Sequence, residues 1–95
     1  MILGRVTGTV VSTRRNDSMP QVRYLLVESC STEGALLGDS LVAVDPLGAG
    51  PAEIVLVSQG SSARQTSDTD KKPVDAVVVG IVDLVETRGK VVYRK

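Results

Sequence analysis

DPLGAGPAEIVLVSQGSSAR, residues Asp45 to Arg64, joins a glycine-punctuated turn to a short apolar strand and then to a second glycine turn. Asp45-Pro46 stops whatever strand precedes it, because proline lacks an amide donor and holds its predecessor in extended geometry. Gly48 and Gly50 permit backbone angles or close approaches that a side chain would block. Ile54 to Val57 is apolar at every position, as in a strand covered on both faces. The stretch is built to bring backbones together rather than to hold a reagent.

Outward from this centre the chain reads as a series of strands. Ile2 to Thr13 alternates, with Ile2, Gly4, Val6, Gly8 and Val10 on one side and Arg5, Thr7, Thr9 and Thr13 on the other. That period of two belongs to a strand with one buried face, on which Gly4 and Gly8 let it coil tightly or pass close to another backbone. Arg14 to Pro20 is a polar loop, Val22 to Glu28 a second strand, and Cys30 to Gly38 a turn-rich connection. Leu41 to Val44 and Ile54 to Val57 are the third and fourth strands. Ser61 to Arg64 forms a turn, and Gln65 to Pro73 has no apolar residue and reads as an exposed loop. Ala76 to Val85 is the fifth strand, and Arg88-Gly89 turns it into a last strand, Val91 to Arg94.

No helical periodicity of useful length appears. Short strands without covering helices predict an all-β fold: a small closed barrel of five to six strands with a C-terminal hairpin, since closure removes exposed edges. Residues 1–95 form one domain, of a size that leaves a thin stability margin. Ile54 to Val57 and Ala76 to Val82 are apolar on both faces, and the chain has no helix to cover the second. A homo-oligomer follows, in which each extra buried valine contributes roughly 1.5–3 kcal/mol.

The inventory argues against catalysis. Eleven basic residues balance eleven acidic ones, and histidine is absent, so no ordinary Ser–His or Cys–His pair can form. Ser61 and Ser62 lie beside Arg64, which stays protonated and is no base; they read as turn and capping residues. Cys30 is the single cysteine, which excludes an internal disulfide and predicts a buried thiol. Gly48-Ala49-Gly50 is followed by Pro51 and a strand, not by the helix that a phosphate loop requires. No cofactor or metal is expected. The run Ala76 to Val82 falls far short of the ~20 residues that cross a bilayer, and the first residues lack the pattern of a signal peptide. A soluble cytoplasmic protein without membrane contact is expected. The alternative function for a small barrel is single-stranded nucleic-acid binding, but zero net charge and two tyrosines as the only aromatics give it little support.

Taken in order, Gly4 to Thr13, Asp45 to Gly50, Glu53 to Val57, Gly60 to Arg64 and Pro73 to Asp83 resemble the CcmL/EutN family, the pentameric vertex proteins of bacterial microcompartment shells. The resemblance runs over nearly the whole length. It departs at Pro51-Ala52, where many relatives carry glycine just before the glutamate. It implies an oligonucleotide-binding-like barrel, a homopentamer with a narrow axial opening, and a structural role in capping the five-fold corners of a carboxysome or catabolic compartment. The implied partners are further copies of the chain and hexameric shell proteins. Within that reading, Gly48, Ala49 and Gly50 would crowd against a neighbouring subunit or the axis. Ser61, Ser62 and Arg64 would hydrogen-bond across the subunit boundary, with Arg64 against Glu53 or Asp45.

Overall fold

A computed structural model describes residues 1–11, 23–60 and 76–95. The expected loop at Arg14 to Pro20, the turn at Ser61 to Arg64, the loop at Gln65 to Pro73 and the end of the first strand at Thr13 lie outside these residues. Seven strands run in the order β1 (Ile2–Val10), β2 (Arg23–Cys30), β3 (Leu36–Asp45), β4 (Ile54–Gln59), β5 (Ala76–Ile81), β6 (Leu84–Thr87) and β7 (Lys90–Arg94). The first five close into a barrel in the order β1-β2-β3-β5-β4, and β6 and β7 form a separate two-stranded sheet. The all-β barrel with a C-terminal hairpin is therefore the observed fold.

Closure depends on one mixed contact. Every other pairing is antiparallel, whereas β3 meets β5 in parallel at Val44 and Val77. The barrel is filled by alternate positions of its strands: Val6, Leu25, Val27, Ala43, Val55, Val57 and Val78 share one buried cluster. Gly4 belongs to this inner face, since a Cβ there would collide with Cγ1 of Val27. Gly8 differs from expectation. The β1–β2 register shifts between Val6 and Gly8, and a Cβ at Gly8 would meet only Leu26 Cβ at an ordinary 3.9 Å. The bulge breaks the alternation on which the sequence reading relied.

Two boundaries also differ. β3 begins at Leu36 rather than Leu41, because its pairing with β2 extends out to Cys30 and Leu36 across a bulge. Gly38, at φ 102°, lies within this strand, and its N–H donates to Glu28 Oε2 at 3.0 Å. The apolar run from Ala76 divides at Val82-Asp83, where Val82 N–H donates to the Ile54 carbonyl at 2.9 Å and β6 leaves the barrel. Arg88 and Gly89, at φ 53° and 77°, make the expected two-residue turn between Thr87 and Lys90.

The apolar strands are covered differently from the sequence argument. Ile54, Val55, Val57, Val77 and Val78 are fully buried within the single chain. Among the described residues the large apolar side chains left in solvent are instead Met1 and Val11 at either end of β1, Leu36, Leu37 and Val42 on β3, Leu47 in the following loop, Val79 on β5, and Leu84 and Val91 on the hairpin. A subunit contact made through the described residues can draw on these for apolar surface. No helix among the described residues is long and apolar enough to cross a membrane.

Candidate functional site

The segment from Asp45 to Glu53 is fixed by two carboxylates. Asp45 ends β3 and is only 3% exposed. Its Oδ1 accepts from the Leu47 and Gly48 amides at 3.0 and 3.1 Å, and its Oδ2 from the Ala49 amide at 2.8 Å. Arg23, its cross-strand partner on β2, lies 3.7 Å from Oδ2 and donates to the Ala49 carbonyl at 3.2 Å. One side chain thus replaces the water that three successive amides would otherwise require.

At the far end, Glu53 Oε1 accepts from the Gly50 amide, and Oε2 pairs with Lys95 Nζ at 2.8 Å. The Ala52 amide donates to the Val6 carbonyl and the Val6 amide to the Glu53 carbonyl, at 2.9 and 3.0 Å, so the loop exit is stitched to β1. Residues 45–53 are preorganised on a rigid barrel, with Leu47 and Gly48 exposed at the tip.

The three loop residues singled out in the sequence have separate surroundings. Gly48, at φ 82°, has open space where a Cβ would stand; its requirement is the left-handed backbone. Ala49 points inward and is fully buried in the barrel cluster. Gly50 abuts Glu53, whose Oε1 would lie 3.2 Å from an added Cβ. Ser61, Ser62 and Arg64 lie outside the described residues. Among the described residues the cations set against Asp45 and Glu53 are Arg23 and Lys95. Sequence reasoning missed both, although Arg23 faces Asp45 in any antiparallel β2–β3 register that ends both strands together.

The departure at Pro51-Ala52 has a structural counterpart. Ala52 adopts φ 65°, a left-handed conformation that costs an L-residue roughly 1–2 kcal/mol and glycine nothing. Glycine returns about 0.4–1 kcal/mol of that through its freer unfolded chain. Ala52→Gly is expected to stabilise by about 0.5–1 kcal/mol, seen as a rise of a few degrees in Tm; a fall would mean that Ala52 is unstrained.

The Glu53–Lys95 pair sets a pH window. The hydrogen bond from Lys95, then that from Gly50, holds the Glu53 carboxyl below its ordinary 4.5, and Glu53 in turn raises Lys95 above 10.5. A lowered carboxyl stabilises above its unfolded value and loses that contribution as pH falls through its folded value. A raised ammonium stabilises below its unfolded value and loses it as pH rises through its folded one. The pair therefore acts between these limits and fails on either side. Lys95→Ala should move the Glu53 carboxyl midpoint, followed by NMR, upward toward 4.5. An unmoved midpoint would leave Gly50 as the determinant.

Burial raises the Cys30 thiol above its ordinary value, against a smaller opposing effect of Arg5. No group of three or more metal-ligating side chains occurs among the described residues. The arrangement positions backbone and shapes a surface.

A family model described as "Ethanolamine utilisation protein EutN/carboxysome" matches residues 1–83. The chain belongs to the EutN/CcmL family. It is 46% identical to the carboxysome shell vertex protein CcmL of Gloeobacter violaceus over 95 residues, covering 100% of this chain and 95% of that protein. The structure of CcmL from Nostoc sp. matches at a TM-score of 0.94 and 43% identity, with both chains covered completely. The GrpN pentameric microcompartment shell protein of Rhodospirillum rubrum matches at 0.82 and 49%, covering 92% of this chain and 99% of that one. The EutN/CcmL family is one of structural shell vertex proteins and not of enzymes.

Proposed function

We propose that the chain is one of five identical subunits in a ring that caps the five-fold corners of a bacterial microcompartment, bordered by hexameric shell proteins of the facets. The observation that carries this is full-length similarity to vertex proteins from both carboxysome and other microcompartment shells. Hexagonal tiles alone make a flat sheet; closure into a polyhedron requires five-sided units at its corners. A small, loop-stiffened barrel suits this task, since a corner piece must hold its angles without spending binding energy on ordering loops. The shell, and this chain with it, would lie in the cytoplasm, without nucleic acid or membrane as a partner.

Gly48 and Gly50 would line the subunit boundary or the axial opening, with Leu47 and Gly48 as the exposed contact, while Ala49 acts indirectly by anchoring the loop from within its own barrel. Ser61, Ser62 and Arg64 would act across the same boundary. Shells assembled from hexamer-forming proteins with and without this chain, viewed by electron microscopy, test the proposal. Closed polyhedra should need the chain, with open or elongated bodies in its absence. Equally closed shells without it would contradict the capping role.

A further inference from the structure

The β6–β7 hairpin rests against the barrel without joining it. It is a separate sheet, no residue of β6 or β7 is buried, and neither strand contributes to the two buried clusters. A two-stranded sheet is marginal in water by itself. Val82 and Asp83 connect it to β5. An open groove of about 670 Å³ lies between the two parts, lined by Leu3, Leu56 and Ile81 on the barrel and by Leu84 and Val85 on the hairpin.

Two hairpin side chains reach across, and each lands on a residue that also holds a loop. The Tyr93 ring stands 5.9 Å from the Arg5 guanidinium. Among the described residues no carboxylate pairs with Arg5, and its Nε is buried without a hydrogen bond, so the ring face is what answers its charge. Arg5 Nη2 packs on Gly34, where a Cβ would lie 2.5 Å from it, and Gly34 closes its own turn by donating to the Ser31 carbonyl at 2.9 Å. Lys95 Nζ meets Glu53 Oε2 at 2.8 Å, while Oε1 of the same carboxylate accepts from the Gly50 amide. The Lys95 amide donates to the Asp83 carbonyl at 2.9 Å, which closes the base of the hairpin and makes Lys95 move with it.

We infer that the β6–β7 hairpin is a strap whose seating through Tyr93 and Lys95 sets the order of two loops at once: the turn at 31–35 through Arg5, and the exit of the 45–53 loop through Glu53. One ion pair and one cation–π contact are weak enough to open locally while the barrel stays folded. Opening frees Arg5 and Glu53 to leave their positions, and Gly34 and Gly50 lose the groups that pack on them. The entry of the 45–53 loop, held by Asp45, stays as it is. The coupling is reciprocal, so a contact that fixes Gly34 or Gly50 also seats the hairpin. All these groups belong to one chain, and the strap goes beyond the ring proposed above without depending on it.

Residue-resolved amide hydrogen exchange of the full chain tests it. Lys95→Ala should speed exchange at Gly50 roughly tenfold, the net worth of about one hydrogen bond, and Lys95→Arg should restore it. Tyr93→Ala decides the matter, because that ring stands over Arg5 and not over Glu53. A strap that lifts as one body should then exchange faster at Gly34 and at Gly50 alike. The Ala49 amide, bound to Asp45, is the internal control and should keep its rate in every variant. Gly50 unchanged in Tyr93→Ala would reduce the two contacts to separate local pairs and overturn the strap. An Ala49 rate that rises together with that of Gly50 would overturn it as well, since it reports loosening of the whole chain.

Discussion

Replacement of Asp45 by alanine is expected to destabilise the chain by about 4 kcal/mol, within the range for removing one partner of a buried charged network. The substitution strands three amides, those of Leu47, Gly48 and Ala49, and leaves Arg23 facing the gap. Ala49 is fully buried, so its amide cannot recover the lost bond from bulk water without drawing the side chain out of the core. In a domain of this size that corresponds to a fall in Tm of roughly 15–30 °C. Asp45→Asn is the informative companion. It retains one acceptor oxygen, loses the charge and should forfeit about half as much. Equal Tm values for wild type and Asp45→Ala would mean that the loop is not organised by this carboxylate.

The second large effect is at Gly4. An added side chain runs into Cγ1 of Val27, a stiff branched residue that is itself completely buried, and the Glu28 carbonyl lies 3.3 Å from the same position. Neither can swing aside as a long flexible side chain could, and cores respond to such overpacking by backbone shift. Gly4→Val is expected to cost about 3 kcal/mol, the upper part of the overpacking range. Gly8 on the same strand supplies the control, since a Cβ there has room. Gly8→Ala should change stability by less than about 0.5 kcal/mol. Chemical denaturation separates the two, and equal losses at both positions would refute the assignment of Gly4 to the packed interior.

Much of the barrel was legible in the sequence because its signals are local. The alternation through Ile2, Gly4 and Val6, the stop at Asp45-Pro46 and the turn at Arg88-Gly89 each act over a few residues, and each stands where expected. The early start of β3 at Leu36 was not legible, since it depends on β2 continuing to Cys30 as its partner across a bulge. Nor was the covering of Val77, which packs with Val44 and Tyr24 from distant parts of the chain. Apolar composition on both faces correctly pointed to burial but could not assign it to this chain or to another. The loop was half legible. Its glycines stood out, while the carboxylates that hold it, Asp45 through Arg23 and Glu53 through Lys95, are joined only by strand pairing and the return of the hairpin.

Native mass spectrometry of the purified chain at micromolar concentration addresses the ring most directly. The account predicts one dominant species of about 50 kDa, five copies of the 10.0 kDa chain. A single 10.0 kDa species, with no larger assembly as concentration rises, would contradict it.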